Sequence, residues 1–307
     1  MKSREAALDI APEIRTALQE GAAVVALEST IITHGMPFPA NADMAKGVET
    51  VIRTAGALPA TIAVIDGRLK VGLNDSERET LARAAGPMKL SRADLAFAIS
   101  EQRTGGTTVA ATMIAARLAG IEVFATGGIG GVHRGAEESF DISADLAELP
   151  RTPVIVVAAG AKAILDIGKT LEVLETHGVP VIGYGTDVMP AFWSRNSPFS
   201  APLRLDTAET VAGFWAARKA LGIEGGMLIA NPVPKADEIA EDIMERHIAE
   251  ALGDAAGQGL SGKAVTPFLL ARIMALTDGA SLKTNIALVN NNARIAAEIA
   301  LALTKSR

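Results

Sequence analysis

Apolar and polar positions switch between two periods along the chain, and the switches lay out a series of strands and helices. Ala7, Leu8, Ile10, Ile14, Ala17 and Leu18 fall on one face of a helical wheel, which predicts a helix over 4–20 stopped by Gly21. The unbroken apolar run 22–27 is too short for a helix and reads as a buried strand, while 28–39, with two prolines, reads as a loop. The pattern then predicts a helix from Asn41 or Ala42 to Ala55, strands at 61–65 and 69–72 joined by Asp66-Gly67-Arg68, and a helix over 76–85. Ser91-Arg92-Ala93-Asp94 has the form of a capping box, with Asp in place of Glu or Gln, opening a helix that reaches Glu101. A Gly105-Gly106 turn precedes a helix over 109–118, whose first amides suit an anion. Apolar strands follow at 121–125, 154–159, 179–184 and 227–230, with a helix over 163–175 and an irregular segment at 190–202. The segments 238–252, 267–276 and 281–303 read as helices.

Composition narrows what these elements can build. Of 307 residues 49% are hydrophobic, enough to fill a sizeable core and incompatible with disorder. Only 4% are aromatic while Ala, Val, Ile and Leu abound, which suits parallel strands under helices better than a β-sandwich. The expected class is α/β with a mixed, largely parallel sheet. No repeat, low-complexity tract or linker interrupts residues 1–307, so a single domain is expected. A formal charge of −6 gives no reason to expect nucleic acid or a membrane surface as partner. Without cysteine there is no disulfide, no thiolate nucleophile and no Cys-based metal site. The N-terminus lacks a signal-peptide core and no later uncharged run is long enough to span a bilayer, so a soluble, cytoplasmic protein is expected.

Candidate chemistry gathers where strands end. Residues 126–145, T-G-G-I-G-G-V-H-R-G-A-E-E-S-F-D-I-S-A-D, follow an apolar run with glycines, a His-Arg pair and spaced carboxylates. Glycine lets the backbone approach a ligand. His133, Arg134, Asp141, Ser143 and Asp145 offer a base, a cation and hard oxygen donors, so the stretch reads as a polar ligand site at a strand's C-terminal end. It is no dinucleotide fingerprint, because His133 stands where the third glycine belongs, and the P-loop, nucleophile-elbow and H-E-x-x-H signatures are absent too. Asp141 reads either as a solvated carboxylate or as the single carboxylate of a hard, water-rich cation. Asp145 reads either as a ligand or as the cap of the next helix.

Lys162 follows the apolar run 154–161 at a strand–helix junction, where desolvation and the helix's positive end would free its amine as a nucleophile; equally, it reads as an inert lysine near a helix start. Glu28 ends an apolar strand on the same side, where a carboxylate can be tuned for acid–base work. Lys89 lies just before the 91–101 helix, and His34 and His133 fall in the suspected loops, whereas His177 reads as a helix C-cap and His247 as solvated. The run 281–285 reads as an ordinary helix start as readily as a ligand segment, and Asn290-Asn291-Asn292 as readily as a polar helix face.

The longer motifs carry a resemblance. A-L-E-S-T-I-I-T-H-G-M-P (26–37), G-G-T-T-V-A-A-T (105–112), A-T-G-G-I-G-G-V-H-R-G (125–135), F-D-I-S-A-D-L (140–146), A-G-A-K-A-I-L-D-I-G-K-T (159–170), N-P-V-P (231–234), G-K-A-V-T-P-F-L-L (262–270) and S-L-K-T-N-I-A-L-V-N-N-N-A (281–293) together resemble the pseudouridine-5′-phosphate glycosidase family, which includes the indigoidine-synthase-A-like proteins. The resemblance spans nearly the whole chain. It implies a three-layer α/β/α fold, a homotrimer, and reversible cleavage of the C–C glycosidic bond of pseudouridine 5′-phosphate to uracil and ribose 5-phosphate with a divalent ion, usually Mn²⁺, Mg²⁺ being an alternative. By position it implies that Lys162 forms an imine and Glu28 is the acid–base carboxylate. Asp141 would hold the metal, and Lys89, Val109, Ser143, Ala144 and Asp145 would contact substrate, with His133 and Asn285 lining the same pocket. Two alternatives remain beside it: another Schiff-base reaction on a sugar phosphate, of indigoidine-pathway or aldolase type, and a non-catalytic phosphosugar binder.

Overall fold

The run predicted as a buried strand at 22–27 lies in the middle of the sheet. In the computed structural model, which describes residues 7–305 apart from 261, 263 and 264, it forms β2 (Val24–Leu27), after β1 (Leu8–Ile10). β3 (Leu58–Ile65), β4 (Arg68–Val71), β5 (Met88–Leu90), β6 (Gly105–Thr107) and β7 (Val123–Ala125) follow. Then come β8 (Val132–His133), β9 (Ile155–Ala158), β10 (Leu165–Asp166), β11 (Val181–Tyr184), β12 (Leu203–Leu205) and β13 (Met227–Ala230). One 11-stranded sheet runs in the order β1-β4-β3-β2-β7-β9-β13-β11-β12, with β6 and β5 branching from β3, while β8 and β10 form a separate antiparallel pair. β3, β2, β7, β9, β13 and β11 are mutually parallel, and the predicted 61–72 hairpin is the antiparallel pair β3–β4. The fold is thus α/β with a mixed, largely parallel sheet.

The central strands are apolar on both faces because helices cover both. Ala280–Lys305 packs on β2, β7 and β9 with Ala40–Thr54 and Ala208–Ala220 beside it, and Val109–Ala119 covers β2, β3 and β7 from the other side. Val25, Val156 and Ile229 are fully buried; burying such a side chain contributes about 1.5–3 kcal/mol. Among the described residues no single helix is long and apolar enough to cross a membrane.

Four local expectations change. The Gly105-Gly106 pair is not a turn but the start of β6, which pairs with β3 and β5. The 4–20 helix, whose residues 4–6 lie outside the described residues, is divided. Leu8–Ile10 pairs in parallel with β4, and the helix is Pro12–Gln19, started by a proline that has no N–H to lose. The 28–39 loop contains the helix Thr30–His34; its prolines lie beyond that helix, so they do not break it. No helix starts at Ala163: β10 intervenes, and the helix Ile167–Thr176 is capped by Asp166, so Lys162 stands in a loop rather than at a positive helix end. The Ser91–Asp94 capping box is present, and His177 is the helix C-cap.

Candidate active site

Three adjacent parallel strands deliver the site. β2, β7 and β9 end at Leu27, Ala125 and Ala158, and the chain leaving them carries Glu28, the glycine-rich segment 126–131 and Lys162. The pairing of β7 with β9 continues through both loops: Ala159 N–H donates to Gly127 O at 2.9 Å, Ile129 N–H to Gly160 O at 3.0 Å and Lys162 N–H to Ile129 O at 3.1 Å. The peptide of Lys162 is therefore tied to the glycine segment. The close approach the glycines permit is to the chain's own side chains. A Cβ on Gly130 would lie 2.1 Å from Ser143 Oγ, and one on Gly128 2.7 Å from the Phe192 ring.

Two cavities meet at these loops. One, of 270 Å³, is lined by Lys89, Val109, His133, Asp141, Ser143, Ala144 and Asp145. The other, of 70 Å³, has mainly apolar walls, including Ile31, Met36, Phe192, Leu270 and Val289, with His34 and Asn285 among them. Glu28, Thr30, Lys89, Lys162 and Thr266 belong to both. Arg134 does not join them. It pairs with Glu245 at 2.8 Å and donates to Ala163 O at 3.3 Å. His177 and His247 line neither cavity. Lys263 and Ala264, of the 262–270 motif, lie outside the described residues.

Glu28 is held by Thr126, whose hydroxyl donates to its carboxylate. Burial pushes its pKa above the ordinary carboxylate value, against the opposing pull of the Lys162 charge and the Thr126 hydrogen bond. Lys162 Nζ makes no hydrogen bond or ion pair to any described residue, which leaves the amine available to a ligand. The anchor behind Glu28 was not visible in the sequence. Asn292, fully buried, donates through Nδ2 to Thr126 O at 2.8 Å, and its Oδ1 accepts from Asn231 Nδ2 at 2.9 Å. Part of the Asn290–Asn292 run is thus an interior brace rather than a polar face, and the N-P-V-P motif supplies its partner.

Asp145, buried at 6% exposure, is not the cap of the next helix. Ser143 caps Ala144–Glu148 by accepting from Asp145 N–H at 3.2 Å. The Asp145 carboxylate instead accepts from Ala110 N–H at 2.9 Å and Gly130 N–H at 2.8 Å, stapling the glycine segment to the start of Val109–Ala119. That helix's first amide belongs to Val109, which lines the larger cavity, and the hydroxyl of its N-cap residue Thr108 is buried without a hydrogen-bond partner among the described residues. This is donor capacity suited to an anion.

His133 packs beside Asp141, Nδ1 lying 3.9 Å from Oδ2. Burial lowers the pKa of His133, with Lys89 and Lys162 acting in the same direction and Asp141 against them, so the ring is biased toward its neutral form. Among the described residues no three His, Asp or Glu side chains gather into a metal cage. Asp141, at 35% side-chain exposure on the cavity wall, has only His133 within ion-pair distance among the described residues. A hard divalent ion that takes one carboxylate, keeps waters and completes its shell with ligand oxygens fits such a donor set.

The sequence pattern of the indigoidine synthase A like proteins matches residues 13–302. The chain belongs to this family. Within it, the pseudouridine-5′-phosphate glycosidase of Mesorhizobium japonicum is 66% identical over 296 residues, covering 96% of this chain and 97% of that protein. The crystal structure of the prealnumycin C-glycosynthase AlnA in complex with ribulose 5-phosphate superposes with a TM-score of 0.90 at 41% identity, covering 98% of each chain. An indigoidine synthase A-like protein from Thermotoga maritima gives 0.90 at 32% identity and 99% of each chain.

Proposed function

We propose that the protein cleaves, reversibly, the C–C glycosidic bond of pseudouridine 5′-phosphate to give uracil and ribose 5-phosphate. The observation that carries this reading is that Glu28 and Lys162 stand on the boundary of both cavities, the larger one lined mostly by polar and charged residues and the smaller one largely apolar. The sugar phosphate takes the larger, the base takes the smaller, and the bond between them lies at the two reactive groups. The names of the relatives, and the sugar phosphate bound to the glycosynthase, support the same substrate class.

A carbon leaving group has no lone pair to protonate, so a pair of carboxylates of the usual glycosidase kind is poorly suited. Protonated Glu28, favoured by burial, gives its proton to the ring oxygen as the C1′–O4′ bond breaks. The Lys162 amine bonds to C1′ and loses a proton to the Glu28 carboxylate. Glu28 returns that proton to C5 of the base as C1′–C5 breaks, and the nitrogen lone pair forms the imine. Water then releases ribose 5-phosphate and the free amine. Val109 N–H, the Thr108 hydroxyl and Lys89 face the phosphate. Asp141 would hold one divalent ion, Mn²⁺ on this reading, which supplies positive charge for oxygens of the sugar phosphate.

Borohydride reduction in the presence of ribose 5-phosphate should add the mass of a reduced pentose phosphate to Lys162, located by peptide mass spectrometry. Lys162→Ala should take no label and release no uracil. Uracil release by that variant, or label at another residue, would remove Lys162 from the chemistry. An inert pseudouridine 5′-phosphate combined with trapping of other phosphosugars would point instead to a different Schiff-base reaction, and tight binding without any turnover to a phosphosugar binder.

A further inference from the structure

The smaller cavity contains an amide whose orientation is set from outside it. Trp193 is buried at 1% exposure, in a segment joined to the end of β9 by Phe192 N–H donating to Ala159 O at 3.1 Å. Its indole N–H points at the start of the helix Ala280–Lys305, donating to Asn285 Oδ1 at 2.6 Å and sharing Ser281 O at 3.2 Å. An indole nitrogen is a donor only. The amide atom that meets it must therefore be the oxygen, since a flipped amide would set two donors face to face at 2.6 Å and leave the buried N–H only the longer bond to Ser281 O. Side-chain amides are commonly ambiguous in this respect; here chemistry removes the ambiguity.

The NH₂ end of Asn285 is what remains for the cavity, and it makes no hydrogen bond to any described residue. Phe192, which meets Trp193 edge to face with ring centroids 5.0 Å apart, forms part of the same wall. The space offers a flat apolar slot with an amide donor fixed at its edge.

We propose that Trp193 sets the base selectivity of the site by holding Asn285 as a hydrogen-bond donor, so that the slot takes a planar ring presenting a carbonyl oxygen, as a pyrimidinedione does, and disfavours a ring presenting an amino group there. This rests on the reading of the smaller cavity as the base site. Trp193 touches no substrate and acts as a positioning residue. A site built to hydrogen-bond one edge rejects the analogue that cannot complete the bond far more strongly than an apolar pocket rejects a change of shape.

The test measures binding of free uracil and free cytosine by calorimetry, and kcat/KM for pseudouridine 5′-phosphate against its 4-amino and 2-amino analogues, in wild type, Trp193→Phe and Asn285→Asp. Wild type should favour uracil, and the dione over at least one amino analogue. Trp193→Phe keeps an aromatic ring but frees the amide to turn, and should lower that preference about tenfold, the worth of one hydrogen bond. Asn285→Asp still accepts from the indole but presents an oxygen to the slot, and should move the preference toward the amino compounds. Unchanged ratios in Trp193→Phe, or an equal loss for every ligand, would overturn the proposal and leave Trp193 as packing alone. If wild type binds uracil over cytosine yet releases no uracil, the assigned reaction fails while the binding ratios still decide the role of Trp193.

Discussion

The 520 Å³ groove between the helices Pro12–Gln19, Ala40–Thr54 and Asp75–Arg83 and the 270 Å³ cavity at the strand ends are both lined by charged side chains, but they hold those charges differently. In the groove, each charge closes on a neighbour: Arg53 on Glu13 at 2.9 Å, Arg78 on Glu49 at 2.8 Å and on Asp75 at 2.7 Å, with Thr61 donating to Glu49 at 2.5 Å. In the 270 Å³ cavity Lys162 has no such partner among the described residues, Asp141 has only a distant imidazole, and the Thr108 hydroxyl has none. Volume alone would have chosen the groove. Unfilled hydrogen-bonding capacity is the better guide to where a ligand reacts, because a buried polar group without a partner is tolerated chiefly where something else supplies one.

This contrast can be broken by substitutions on its two sides. Glu28→Gln keeps the shape of the strand end but has no proton to move, and should lower kcat/KM by about 10²–10⁴, the range for a positioned acid–base group; a loss within a factor of two, read by uracil formation, would take Glu28 out of the reaction. Arg78→Ala should leave kcat unchanged and lower stability by about 3–5 kcal/mol, since it strands a buried carboxylate. Burial already raises the pKa of Glu49, so it can take up a proton, and the loss in denaturant titrations should shrink as pH falls. A fall in kcat with unchanged stability would reverse the assignment of the two cavities.

A smaller effect concerns pH and Glu28 itself. Its folded-state pKa is raised, so in the window from the ordinary carboxylate range up to that raised value the folded state binds more protons than the unfolded one. Stability from this group is therefore fully present below the window and is lost as pH rises through it. Glu28→Gln lacks this loss. The melting temperature of the variant relative to wild type should climb with pH across the window and then level; a flat difference would mean that the carboxyl titrates normally.

Much of this arrangement was legible in the sequence. Long apolar runs bounded by glycine gave β2, β9, β11 and β13, because a strand buried on both faces needs no partner to declare itself. The three-residue strands β1, β5, β6 and β12 carry too few positions to show a period and are formed by their pairing partners, as β1 is by β4. Glu28, the segment 126–131 and Lys162 were readable because they follow strand ends, and parallel neighbours bring those ends together whatever their separation along the chain. What could not be read were the groups that act across the fold. Thr126 reaches Glu28, Trp193 reaches Asn285, and Asn292 reaches Thr126 O, each across a long stretch of sequence. No local pattern records such a partner, although a lone Trp beside a Phe in an irregular segment was a cue. Lys162 was placed at a helix's positive end because apolar spacing runs through Ala163-Ile164-Leu165; those residues serve the core and β10 instead.

The main-chain hydrogen bonds that join residues 127–129 to residues 159–162 have one more consequence. Ordering a loop residue costs about 1–2 kcal/mol in conformational entropy, and a site that orders its loops only when ligand arrives subtracts that from affinity. Here the main chain around the lysine continues the ladder of the sheet, so its freedom is surrendered when the protein folds. The amine waits on a scaffold already in place, and the main chain beside it need not be ordered anew at each encounter with ligand.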